Sequence, residues 1–301
     1  MVQQSTTDNR YLEAGKSRES VARDDLSSDG HYESASTTMV SADGKTKIKP
    51  VRPRAGAKEM GKRIVTGSGQ KRGSVLIVGF PGSGLVGSIS TSYIIEKMNM
   101  HQIAFVDSEY VIPSAIYVGG KLRHPFRIYA DDERTLCALV CEAPLRPEGV
   151  HSIMDLMVSW ASKNHVREVF VLDGVPIREL PSRRRKPVIL SSSSHVSTDV
   201  PVRNALMMGL SGGLISACLS DEMPCTGVLI PSTRGIPDPE GAAILLETIS
   251  EMPNVPLEID VQPLREQGQA IKHQLKQFID SARKQEKEEG ARHLGGSEIY
   301  G

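Results

Sequence analysis

Val75–Met98, VLIVGFPGSGLVGSISTSYIIEKM, decides how this chain is read. Val75, Leu76, Ile77 and Val78 form a run too short and too β-branched for a buried helix, so the run predicts a strand covered on both faces. Gly79, Pro81, Gly82, Gly84 and Gly87 then break both periodicities. Val86, Ile89, Tyr93, Ile94 and Met98 return at steps of three and four, the spacing of an amphipathic helix. Strand, tight loop and helix in that order predict an α/β domain on a parallel sheet.

The loop spells G-x-G-x-x-G from Gly82 to Gly87, and Asp107 follows near the distance at which a dinucleotide fold places its ribose-binding acid. Against that reading, Pro81 and two further residues separate the strand end from the first motif glycine. A phosphate loop of the Lys-Ser/Thr type is excluded, because no such pair follows the glycines. The residues favour a structural role, glycines chosen for a positive-φ turn and for close packing of helix on strand. A nucleotide- or dinucleotide-binding loop with Asp107 or Asp173 as polar partner is the alternative.

The 301 residues carry 36 Lys+Arg and 36 Asp+Glu, so net charge offers no global argument for a nucleic-acid or acidic partner. No apolar segment follows the start MVQQSTTDNR, and no run approaches the roughly 18 apolar residues of a spanning helix, so a cytoplasmic protein away from membranes is expected. Cys137, Cys141, Cys218 and Cys225 lack C-x-x-C spacing. On one strand Cys137 and Cys141 would stand about 13 Å apart, beyond disulfide reach, which points to reduced thiols. His101, His124, His151, His165 and His195 are scattered without ligand spacing, so neither a metal nor a catalytic centre is expected.

Residues 1–72 show almost no apolar periodicity and are expected to form a disordered arm. Its second part, 45–72, holds Lys45, Lys47, Lys49, Arg52, Arg54, Lys58, Lys62, Arg63, Lys71 and Arg72 against the single acid Glu59. Without interleaved aromatics for base stacking, this run reads as a solvated tail rather than a nucleic-acid site. After the first strand and helix, His101–Asp107 predicts a second strand that completes a β-α-β unit. Ala115–Val118 and Phe126–Tyr129 around Gly119-Gly120 predict a hairpin with a long polar turn. Leu136–Cys141 predicts a buried strand, Val150–Ala161 a helix, and Val169–Leu172 a strand ending at Asp173-Gly174, either a functional acid or a turn. Arg178–Lys186 and Ser191–Ser194 read as a solvated or partner-facing loop. A short helix after Leu210, a strand at Val228–Ile230 and a helix capped by Asp238 and started by Pro239 follow.

Leu264, Ile271, Leu275, Phe278, Ile279 and Ala282 recur at gaps of three, four and seven, which predicts a narrow-faced helix. Gly290, Gly295 and Gly296 release the chain into Ser297-Glu298-Ile299-Tyr300-Gly301. An apolar residue and a tyrosine before a carboxylate form a compact ligand for a pocket with an apolar wall and a basic floor.

GFPGSGLVGSIST at Gly79–Thr91, SGGLI at Ser211–Ile215 and IPDPEGAAILLETI at Ile236–Ile249 resemble the proteasome assembly chaperone family, especially its archaeal-type members, in register and order from about Val75 to Ile271. The resemblance implies a three-layer, mostly parallel α/β fold similar to nucleoside phosphorylases, with helices on both faces and no established catalytic centre or cofactor. It also implies homo-oligomers that bind the proteasome core particle or its α-subunits. Members often end in a hydrophobic-Tyr-X tail, which Ile299, Tyr300 and Gly301 match position by position. The expected organisation is an arm over 1–72, a chaperone domain over 73–262, a helix over 263–289 and a flexible tail over 290–301.

Overall fold

The structure is a computed structural model that describes residues 37–51, 73–181, 185–193, 202–275 and 277. In chain order, β1 (Met39–Val40) and β2 (Thr46–Pro50) precede β3 (Ser74–Gly79), α1 (Val86–Lys97) and β4 (His101–Ser108). The strands β5 (Ile116–Val118), β6 (Lys121–Arg123), β7 (Phe126–Ala130) and β8 (Leu136–Cys141) lead to α2 (Val150–Lys163). The chain continues through β9 (Val166–Ile177), β10 (Val188–Ser191), α3 (Gly209–Ser220), β11 (Cys225–Thr233), α4 (Pro239–Ser250) and a helix over 262–275, here α5.

Nine strands make one sheet in the order β1-β2-β4-β7-β8-β3-β9-β11-β10. Its centre, β8-β3-β9-β11, is parallel, while every pairing outside that centre is antiparallel. The sheet is therefore mixed rather than mostly parallel. Side chains alternate across β3: Val75 and Ile77 join Val86, Ile94, Leu246 and Leu264 of α1, α4 and α5, whereas Leu76 and Val78 join Ile153, Met154 and Leu214 of α2 and α3. All six residues of β3 are buried, as its apolar run requires.

Three expectations about connectivity change. β4 runs in the same direction as β3 but does not neighbour it, because β7 and β8 intervene as an antiparallel pair. Their connection is short enough for that pairing: the Asp131 carboxylate accepts from the backbone N–H groups of Thr135 and Leu136 and from the Thr135 hydroxyl, closing the turn. Gly119-Gly120 joins Ile116–Val118 to Lys121–Arg123 in a separate two-stranded sheet, and Phe126–Ala130 enters the main sheet instead. Two successive positive-φ glycines make a two-residue turn, which pairs only immediate neighbours. β9 passes straight through Asp173-Gly174, since β11 pairs with it as far as Ile177, so that dipeptide is no turn.

Part of the expected arm is structured. β1 and β2 extend the sheet beyond β4, with Thr46 and Ile48 buried and Lys49 paired to Asp107. A five-residue alternation, TKIKP, carried that signal beneath its lysines. The remaining basic residues from Arg52 to Arg72 lie outside the described residues, as do Phe278, Ile279, Ala282 and everything after them. Among the described residues, no helix is long and apolar enough to cross a membrane.

Candidate functional site at the carboxyl ends of the parallel strands

α/β sheets place ligand sites beyond the carboxyl ends of their parallel strands. Here the loop after β3 meets Asp173 and Gly174 of β9, Ser232 of β11 and Asp238 before α4, with Ser211 of α3 bound to Asp173 and Arg185 to Asp238. The loop turns through a short 3-10 segment, Ser83–Leu85, with Leu85 N–H donating to Gly82 O at 3.1 Å. Gly84 (φ 68°) and Leu85 (φ 51°) are both left-handed, which aims the chain into α1.

Each glycine of the loop motif faces protein. A Cβ on Gly79 would overlap the Gly87 backbone, and one on Gly87 would overlap the Leu172 carbonyl, so β3, α1 and β9 approach at backbone distance. A Cβ on Gly82 would strike the Asp173 carboxylate, and one on Gly84 the Ser232 hydroxyl. Pro81 lies on the exterior side of the same turn, exposed.

Two carboxylates hold this arrangement. Asp238 caps α4 by accepting from Gly241 N–H at 2.9 Å, accepts from Ser232 Oγ at 2.6 Å, and meets the Arg185 guanidinium at 2.6 Å. Its own N–H donates to Gly84 O at 2.8 Å, tying cap to loop. Both Arg185 and Asp238 side chains are nearly fully buried, 4% and 7% exposed. Burial pushes the Asp238 carboxyl upward, but Arg185, Ser232 and the Gly241 N–H together outweigh it and hold the group below the ordinary carboxylate range. Among the described residues no cation meets Asp173. It accepts from Ser211 Oγ at 2.6 Å and from Gly174 N–H at 2.7 Å, and burial, the larger effect, raises its pKa.

Chemically, the cluster is a lock. Each hydroxyl donates to a carboxylate already engaged by a backbone N–H, and Asp173 and Ser232 fill the space beside Gly82 and Gly84. Asp107 stands on β4, three strands from β3 and thus about 14 Å across the sheet, and it pairs with Lys49. The dinucleotide arrangement of glycine loop and acid therefore does not form. Among the described residues the histidines stay apart: His101 meets Asp132 at 2.9 Å, His151 meets Asp155 at 3.4 Å, and His124 stacks on Phe105, while His195 lies outside the described residues. Among the described residues no group of three His, Cys, Asp or Glu could hold a metal.

Sequence reasoning missed Arg185 and Ser232. Arg185 lies in the run read as a solvated loop, yet its guanidinium is inside, donating also to Pro231 O at 2.7 Å. Nothing local separates it from its neighbours in RRRK; the partner acid is 53 residues away. Cys137 and Cys141 are buried free thiols, pushed up to about 11 and about 12 by burial.

Beside Asp238 an open groove of about 330 Å³, including its mouth, runs between Leu180, Ile236, Pro239 and the Ile271 and Leu275 face of α5. α5 is fastened to α4 by ion pairs of Lys272 with Glu240 and Arg265 with Glu247. Gly268 lets the two helices approach, since a Cβ there would crowd Glu240 backbone. α5 is thus a fixed root for the sequence that follows it. Ile299, Tyr300 and Gly301 themselves lie outside the described residues.

Residues 76–279 match the model of the PAC2 family. An uncharacterized protein of Methanocaldococcus jannaschii, MJ0106, is 24% identical over 213 residues, covering 68% of this chain and 85% of the relative. A solved structure of a Thermoplasma acidophilum protein of unknown function shares 28% identity at a TM-score of 0.58, over 72% of this chain and 90% of that one. Two Pyrococcus furiosus structures share the fold at a TM-score of 0.62. PbaA, an archaeal homolog of proteasome-assembly chaperone, is 21% identical over 75% of this chain and 95% of its own. PbaB, an archaeal proteasome activator, is 19% identical over 78% and 99%.

Proposed function

This chain belongs to the PAC2 family, and on that premise we propose that it is a non-enzymatic proteasome assembly chaperone or adaptor, working in the cytoplasm. Its partner in this reading is the proteasome core particle or its α-subunits, engaged through Ile299, Tyr300 and Gly301. The observation that carries the reading is the PAC2 domain joined, through a helix rooted on α4, to a segment ending hydrophobic-Tyr-X. The fold shared with PbaA and PbaB supports it.

In this mechanism the domain self-associates and presents several tails at once. Tyr300 packs on a pocket wall between α-subunits, and the Gly301 carboxylate pairs with a pocket lysine. A three-residue contact is weak alone, and linking several raises avidity by roughly a hundredfold or more where spacing suits. The nucleotide alternative gains no support from the loop, whose glycines face protein atoms. The test is binding of purified core particle, or isolated α-subunits, before and after removal of residues 299–301. Loss of at least about tenfold in affinity is expected; undiminished binding removes the tail from the mechanism.

A further inference from the structure

The β5–β6 hairpin stands as a sheet of its own, and among the described residues each of its strands has only the other as neighbour. Its register pairs Ile116 with Arg123, Tyr117 with Leu122, and Val118 with Lys121. Gly119 and Gly120 both have positive φ, 58° and 71°, as a two-residue turn of the primed type requires. In such a hairpin the pair flanking the turn exchanges backbone hydrogen bonds and the next pair does not. The N–H and C=O of Tyr117 therefore point away from β6, toward the open edge of β5. Tyr117 is 72% exposed, Leu122 75% and Val118 44%, so the hairpin offers water an apolar surface.

The two open edges differ in charge. Lys121 and Arg123 flank Leu122 on β6, the usual protection of an edge against pairing. β5, reading Ile116-Tyr117-Val118, has no charge and no proline. Two copies joined through β6 about a two-fold axis at Leu122 would set Lys121 against Arg123 of the second copy, twice, with like charges directly opposed. Joined through β5 about Tyr117, they set Ile116 against Val118 of the second copy, twice, and the two Tyr117 residues exchange N–H and C=O reciprocally.

We infer that β5 is a self-association edge, pairing antiparallel with β5 of a second copy to give a four-stranded β6-β5-β5-β6 sheet. The pairing is isologous and closes at two copies. Leu122, Tyr117 and their equivalents then form one apolar row across the new sheet. Three residues a side are far below the roughly 1,200 Å² of a permanent interface, so the pairing is concentration-dependent. This deepens the self-association part of the reading above and requires no proteasome contact.

Sedimentation velocity of the full chain from about 1 to 200 µM tests it, a range that brackets micromolar affinity. Mass rising with concentration is expected, with Tyr117→Lys abolishing the rise and Leu122→Lys, on the already charged edge, leaving it intact. A constant one-copy mass, or association that Tyr117→Lys does not alter, overturns the inference. Thermal midpoints of both variants establish that they remain folded. Cysteine substitution gives a second measurement: with mild oxidant, Tyr117→Cys should cross-link between copies, because paired Cα atoms about 5.5 Å apart suit a disulfide. Leu122→Cys should not, and equal cross-linking of the two overturns the proposed edge. Removal of residues 299–301 should leave the mass profile unchanged, so failure of tail binding and failure of edge pairing are read separately.

Discussion

The loop after β3 and the β5–β6 turn are both built on left-handed glycines, and they use them for opposite ends. Gly84 (φ 68°) is enclosed, with Ser232 and Asp238 where a Cβ would go; Gly119 and Gly120 (φ 58° and 71°) have nothing within 4 Å. One glycine is required by its surroundings, the others only by the backbone of a tight turn. The contrast extends to function: the carboxyl ends of the parallel strands are sealed by their own carboxylates, while the hairpin leaves apolar side chains in solvent. In this fold the protein's own side chains occupy the carboxyl ends of the parallel strands.

The largest effect should come from unlocking the sealed end. Arg185→Met leaves the Asp238 carboxylate buried without its cation, and a loss of about 3–5 kcal/mol is expected in urea unfolding. A loss below about 1 kcal/mol would mean that the ion pair is not what closes the site. Next, Gly84→Asn should destabilise by about 3 kcal/mol: asparagine tolerates a left-handed backbone, so the cost measures the collision with Ser232.

The two carboxylates should separate by pH. The folded pKa of Asp238 is depressed, so its contribution is present above the unfolded value of about 4 and is lost as pH falls through the folded value. For Asp173 the folded pKa is raised, so its contribution is present below about 4 and is lost as pH rises through the folded value. Asp173→Asn should accordingly raise the thermal midpoint at pH 7, with the gain shrinking toward pH 4. A gain that is constant across that range would assign the effect to packing instead of charge. The smallest effect belongs to the open turn: Gly119→Asn should change stability by no more than about 0.5 kcal/mol, because Asn-Gly suits the same turn. If it costs as much as Gly84→Asn, the distinction between enclosed and open glycines fails.

Much of the fold was legible because its signals are local. The run Val75–Val78, the helical spacing from Val86 to Met98 and the Asp238-Pro239 start each depend on a few neighbouring residues, and each element forms there. The hairpin partner was misassigned because Phe126–Ala130 has the composition of a strand but not the adjacency a two-residue turn imposes. β2 was hidden because lysines on the exposed face of a five-residue strand look like a charged tail. Asp107 resembled a ribose-binding acid by spacing alone, and spacing does not record that two strands insert between β4 and β3.

By itself the sequence determined the kinds of element, the α/β class, the glycine-dependent turn, and the family to which residues 76–279 belong. Only the tertiary structure decided the strand order, the burial of Arg185 against Asp238, and the filling of the crevice by Asp173 and Ser232. The physical reason is range. Helix and turn preferences arise within a few residues of chain, whereas a buried charge is tolerable only beside a partner brought from 53 positions away, and that meeting exists only once the sheet has formed.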